Sequence, residues 1–242
     1  MQGEIQNYID GKWKKSQSDN ILNVINPATG KVIGKVPMST TAEVNEAINA
    51  AKDAFNEWRQ VPPVERSRYL FRLQSLVLNN FEDISKMVTI ENGKTIGSAR
   101  AEVQRALENI KVAAGIPSLM QGYSSEDIAG NIDEKAIIQP MGVFACILPF
   151  NFPAMIPFWF IPYAIATGNT YIIKPSEKVP YTAQMLVKLI HGGKDVSNQL
   201  LESNDIEGIS FVGSTPVAKG VYTKAAQKGK RAQCQGGLSQ LN

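Results

Sequence analysis

The sequence predicts an α/β fold, a doubly wound parallel sheet with an amino-terminal helical region and an edge hairpin. Three observations carry this. Val143–Leu148 is an apolar run with no alternation, as expected of a strand covered on both faces of a parallel sheet. Thr170–Ile173 and Ile209–Val212 are further strand candidates, each ending in turn residues and followed by a helical pattern. Upstream, residues 40–114 carry helical periodicity, and Tyr8–Trp13 carries a hairpin signal around Asp10-Gly11.

In order along the chain, Asn26–Lys31 reads as a second turn leading into Val32–Val36, and both early segments can pair at a sheet edge. Thr40 with Glu43 makes a capping box for a helix bearing Val44, Ile48, Ala51 and Phe55. Val61-Pro62-Pro63 stops the chain, and Pro63 can open the next helix, with Leu70, Leu73 and Val77 on its face. Ile84 and Val88 belong to a third helix ending near Gly93. A fourth, over 98–114, presents Val103, Ala106, Ile110 and Ala113. Asn131–Gln139 reads as extended. Ala154–Thr167 reads as a helix interrupted by Pro157 and Pro162 and closed by Gly168-Asn169. Tyr181–Ile190 reads as another helix, and one from Pro216 ends in Lys224, Lys228, Lys230 and Arg231, where the helix dipole favours cations. Arg231–Gln235 is a final short strand.

Composition narrows the function classes. A net charge of +3, evenly spread, gives no footprint for nucleic acid. Cys146 and Cys234 offer neither a disulfide framework nor metal-ligand spacing, which fits a reducing compartment. Met1-Gln2-Gly3-Glu4 lacks a basic segment followed by an apolar one, so no targeting signal and a cytoplasmic location are expected. Residues 136–173 include a long stretch without charge, but five prolines interrupt it. A lipid-exposed helix broken that often strands backbone groups, so buried core is the reading and no membrane partner is expected.

Three polar features follow strand ends. Asn151 lies between Pro149 and Pro153, in a stiff loop where open α/β sheets place ligands; it suits either a turn cap or a ligand-facing amide. Lys174-Pro175-Ser176-Glu177 suits either a ribose or phosphate, or an ordinary strand-to-helix turn. Gly213-Ser214 precedes a helix whose free N–H groups can hold a phosphate. Neither Gly-x-Gly-x-x-Gly nor a P-loop spacing occurs there. Strand ends of a parallel sheet share one side, so these features would line one crevice, a geometry that favours a dinucleotide. Arg105 lies off the apolar stripe of its helix, the usual place of a solvated arginine. His191, beside two glycines, reads as a loop residue.

Pro149-Phe150-Asn151-Phe152-Pro153, Lys174-Pro175-Ser176-Glu177 and Phe211-Val212-Gly213-Ser214, in this order, resemble the aldehyde dehydrogenase superfamily and its Rossmann-like NAD-binding domain. Ile90–Lys94, Glu102–Arg105, Phe150, His191–Asp195 and Lys230–Gln233 resemble its CoA-acylating methylmalonate-semialdehyde (malonate-semialdehyde) dehydrogenase branch. The resemblance implies NAD as cofactor, CoA as co-substrate, a small semialdehyde acid as substrate, and a homo-oligomer, dimer or tetramer. It implies Asn151 as oxyanion donor and Leu148 and Phe150 as contacts to NAD. Lys174 and Glu177 would hold the adenosine ribose with Lys178 beside them, and Ser214 the pyrophosphate. Arg105 would face the substrate carboxylate. Residues 124–141 would form an oligomerisation strand segment.

The pattern also breaks. The superfamily's nucleophilic cysteine and the domain that carries it have no counterpart here, and neither Cys146 nor Cys234 replaces it by motif. An apolar strand expected near residues 190/191 is not written, and 238–242 fall off the pattern. The expectation is therefore an incomplete NAD-binding domain, inactive alone. A non-catalytic nucleotide-binding or subunit-interaction protein is the alternative.

Overall fold

The computed structural model describes residues 3–186 and 191–237. The chain opens with two small antiparallel ribbons, β1 (Asn7–Ile9) with β2 (Lys12–Lys14), and β3 (Ile21–Ile25) with β4 (Val32–Pro37). Asp10 and Gly11 both take positive φ, the turn that the right-handed twist of a two-residue hairpin requires. These ribbons keep their own ladders and do not extend the main sheet among the described residues. They attach through side chains instead: Ile9 enters the main core, while Ile5, Val24 and Val36 form a small core of their own against Tyr181.

Four helices follow: α1 (Thr41–Trp58), α2 (Pro63–Asn79), α3 (Phe81–Asn92) and α4 (Ile96–Ala114). The α1 capping box forms as expected, Thr40 and Glu43 satisfying each other's backbone N–H groups. Pro63 opens α2, and Gly93 closes α3 in the left-handed region. A short helix, α5 (Ile116–Leu119), leads to a ribbon of β5 (Tyr123–Ala129) and β6 (Ile132–Ala136), which lies exposed over most of its length.

The main sheet is parallel, in order β10-β9-β7-β8, from β7 (Val143–Ile147), β8 (Thr170–Lys174), β9 (Gly208–Gly213) and β10 (Arg231–Gly236). A 3-10 helix (Ile156–Trp159) and α6 (Ile161–Thr167) connect β7 to β8. Pro157 and Pro162 each sit in the first turn of one of these helices, where a missing N–H costs nothing. Then come α7 (Pro180–Leu186), α8 (Lys194–Glu202) and α9 (Thr215–Gln227). The last four residues of the helix expected over 181–190 lie outside the described residues, as do the residue before the 190/191 junction and the 238–242 tail. No described strand pairs with the outer side of β8.

Helices cover both faces, as doubly wound topology demands. Val143, Ala145, Ile147, Ile172, Ile209 and Phe211 point to one side and meet α1, α8 and α9. Cys146, Leu148 and Ile173 point to the other and meet the 3-10 helix, α6 and α7. This period of two, with both phases apolar, is why the strands read as continuous hydrophobic runs. A third cluster joins α2, α3 and α4 to Phe158 and Ala166, uniting the helical region with the sheet layer.

Candidate active site at the carboxyl edge of the sheet

The register aligns the carboxyl ends of the strands. Ile147 of β7 pairs with Lys174 of β8 on one side and with Phe211 of β9 on the other, and Gly213 pairs with Gly236. The chain leaves β7 for β8 on one side and later reaches β9 on the other. The order thus reverses around β7, and its carboxyl end is the switch point where such sheets open a crevice. Neighbouring strands run about 4.8 Å apart, so the loops after β8 and β9 face each other across roughly 10 Å. Leu148, Phe150 and Asn151 follow β7, Lys174, Glu177 and Lys178 end or follow β8, and Ser214 follows β9. The structure therefore brings together all the sequence-predicted residues except Arg105, which belongs to the helical region.

The loop after β7 is fixed from several sides. Leu148 is buried and its N–H donates to the Lys174 carbonyl at 3.0 Å, continuing the ladder one residue past the strand. Phe150 is exposed and carries the Lys178 ammonium over its ring at 5.0 Å, while its carbonyl accepts from Asn92 Nδ2 at 2.7 Å. Asn151 itself is exposed. Beyond it, Glu102 Oε1 accepts from the backbone N–H groups of Ala154 and Met155 at 2.7 and 3.2 Å. The other Glu102 oxygen meets Lys94 Nζ at 2.5 Å, and Lys94 lies 3.7 Å from the centre of the Phe152 ring.

At the end of β8, Lys174 is buried and donates to the Gly192 carbonyl at 2.7 Å, with Glu177 at 3.4 Å. Burial lowers the Lys174 pKa, and the Glu177 charge opposes that shift. Glu177 is partly exposed and Lys178 fully so, which leaves polar atoms available beside a fixed cation. His191 is a loop residue as expected, but completely buried: its N–H donates to Asn7 Oδ1 at 2.9 Å. Burial, then the neighbouring Lys174 charge, push its imidazole down to about 3, so the ring is neutral at physiological pH.

Ser214 is the exposed N-cap residue of α9, and its side chain makes no capping hydrogen bond. The first N–H groups of α9 are thus left for another acceptor. Arg105 is exposed on α4, and its guanidinium makes no hydrogen bond or ion pair among the described residues. Cys146 is wholly buried in β7, and burial pushes its thiol far up, while Cys234 in β10 is half-buried and also raised by burial. Neither has the depressed pKa of a nucleophile. Among the described residues no three His, Cys, Asp or Glu side chains cluster as a metal site would need.

Two buried glutamates, to which the sequence gives no role of their own, stitch the helical region to these loops. Glu102 of α4 holds the turn after β7; Glu91 of α3 accepts from Tyr181 and Thr182 N–H at 2.8 and 2.7 Å and so caps α7. Burial, opposed by these donors and aided by the Glu102 charge, lifts the Glu91 carboxyl from the usual 4.5 to about 7. The unfolded chain releases this proton first. The Glu91 contribution is therefore complete below pH 4.5 and declines as pH rises to about 7, a span of order 3 kcal/mol. Thermal melts from pH 5 to 8 should show wild type losing ground to Glu91→Gln as pH rises. A difference constant with pH would refute the assignment.

Residues 13–240 match the sequence profile of the Aldehyde dehydrogenase family. A malonate-semialdehyde dehydrogenase 2 of Geobacillus thermodenitrificans is 46% identical over 96% of this chain, and a malonate-semialdehyde dehydrogenase of Halalkalibacterium halodurans is 44% identical over 97%. The chain spans about half the length of these relatives, 51% in each case. Among solved structures, a Sinorhizobium meliloti 1021 protein assigned as a methylmalonate-semialdehyde dehydrogenase and complexed with NAD superposes with TM-score 0.93 at 38% identity. It is covered over 98% of this chain and 51% of its own. The methylmalonate-semialdehyde dehydrogenase of Oceanimonas doudoroffii gives the same TM-score and identity, with 99% and 51% coverage. Both the profile match, which spans nearly the whole sequence, and the relatives at this identity lead to one conclusion: the chain belongs to the aldehyde dehydrogenase family.

Proposed function

We propose that this chain forms the NAD-binding part of an oxidoreductase that converts a small semialdehyde acid, malonate or methylmalonate semialdehyde, into an acyl-CoA. The observation that carries the reading is the convergence of Asn151, Lys174 and Ser214 at the switch point of a parallel sheet. The crevice suits NAD: a buried ammonium stands beside a partly exposed carboxylate, and the start of α9 is uncapped by its own serine. In this reading Lys174 and Glu177 hold the adenosine ribose, with Lys178 beside them. Ser214 and the first turn of α9 take the pyrophosphate, and Leu148 and Phe150 bound the cofactor's path. NAD, when bound, accepts a hydride. The exposed amide of Asn151 donates to the oxyanion formed on thiolate attack, and Arg105 pairs with the substrate carboxylate. The exposed β5–β6 ribbon serves assembly into a homo-oligomer, and the protein works in the cytoplasm.

A second reading, a non-catalytic nucleotide-binding or subunit-interaction protein, is favoured by the state of Cys146 and Cys234, since neither suits a nucleophile. Titration of the purified chain with NAD, followed by calorimetry, tests the nucleotide binding that the first reading requires. Saturable binding is expected, weakened about 10–100-fold in Lys174→Met, as for loss of one charge-assisted hydrogen bond. Absence of saturable binding by the wild type up to millimolar NAD would overturn the nucleotide-binding reading. NADH formation by the purified chain with malonate semialdehyde and CoA would overturn the expectation that it is inactive alone.

A further inference from the structure

The Asn151 loop is short, exposed at its tip and flanked by proline, yet its two shoulders are tied to different helices. Asn92, at the end of α3, holds the Phe150 carbonyl before it, and Glu102, on α4, holds the Ala154 and Met155 N–H groups after it. The second tie is the stronger. A carboxylate is an acceptor only, and here one oxygen takes two backbone donors while the other takes the Lys94 ammonium. Glu102 is 2% exposed, so water does not compete for these bonds. Lys94 in turn lies on the Phe152 ring, adjacent to Asn151, which locks the loop from a third direction.

Glu102 also stands three residues before Arg105 on the same helix, about 4.5 Å along its axis. Val103, Ala106 and Leu107 bury that stretch of α4 in the helical core, so the helix cannot shift freely. We infer that Glu102 is a positioning residue: it fixes the Asn151 loop to the Arg105 helix, and so sets the separation between the amide that meets the oxyanion and the guanidinium that meets the substrate carboxylate. The roles of Asn151 and Arg105 rest on the proposed function above; the tie itself does not.

The test uses the whole chain, labelled for NMR, in four forms: wild type, Glu102→Gln, Glu102→Leu, and Val196→Ala as a destabilised control in the core on the opposite face of the sheet. Hydrogen exchange at the Ala154 and Met155 amides is expected to rise about 100-fold or more in Glu102→Leu, which keeps no acceptor, and about 10-fold in Glu102→Gln, which keeps one. The backbone amide resonances of the loop around Asn151 should shift in the leucine variant and largely recover in the glutamine variant. These changes should exceed those in Val196→Ala after correction for global stability. Equal behaviour of Glu102→Gln and Val196→Ala at these sites would overturn the proposal, and this comparison stands even if the leucine variant fails to fold. NAD titration of the same samples reports separately on the nucleotide-binding reading.

Discussion

Phe158→Ala is expected to destabilise the protein by about 3–5 kcal/mol, enough to lower Tm by on the order of 10 °C in a chain of this size. Phe158 is fully buried in the 3-10 helix after the Asn151 loop, clustered with Val103, Ala106 and Leu107 of α4 and with Ala154 and Ala166. Truncation removes the transfer energy of an aromatic ring, and it leaves a cavity walled by helices that are pinned by their own hydrogen bonds and cannot close over it. Phe158→Leu should cost distinctly less, since it retains most of the apolar volume. Denaturant titration gives the comparison. A loss below about 1 kcal/mol for the alanine variant would show that this segment is not packed against α4.

Arg66→Ala is expected to cost about 3 kcal/mol. The side chain is 2% exposed, and it donates from Nε to the Ala166 carbonyl at 2.9 Å and from Nη1 to the Val61 carbonyl at 2.8 Å. Its guanidinium lies so close over Gly168 that a Cβ there would sit 2.5 Å from Nη1, and Gly168 has φ +87°, so both space and backbone call for glycine. Removing the arginine leaves two carbonyls short of a donor and opens a cavity between α2 and α6. Arg66→Met separates the two effects, because it fills the space without restoring the bonds. Equal stability of the methionine variant and wild type, by the same titration, would show that the hydrogen bonds contribute nothing net.

The parts of this fold that were legible in the sequence are those where one local signal decides the outcome. The central strands follow from apolar runs bounded by glycine and proline, and α1–α4 follow from periodicity and caps. The crevice followed because parallel strands end on one side. Missed elements lack such a signal. Helix α8 is nine residues long, and its apolar triplet of Val196, Leu200 and Leu201 is too short a pattern to announce a helix. Strand β5 is polar and exposed, so only the family resemblance pointed to it. Glu91 and Glu102 carry no local signal of their role, because the N–H groups that hold them lie 90 and 52 residues downstream. The early segments can by their sequence pair at a sheet edge, yet they form separate ribbons, and each strand of the first is three residues long. Side-chain docking supplies the contact that so short a ladder cannot.

That docking has a consequence in time. Val44 and Ile48 of α1 and Ile9 of β1 find their apolar partners in Ile172, Leu200 and Ile209, far along the chain. Asn7 joins His191 across a separation of 184 residues, and Thr170 reaches back to the Ala51 carbonyl across 119. As the polypeptide leaves the ribosome, the first sixty residues therefore have little to fold onto until the sheet has been made. Contacts of such long range close last and slow the approach to the native state. The amino-terminal ribbons and α1 therefore settle onto the sheet only after its strands have paired.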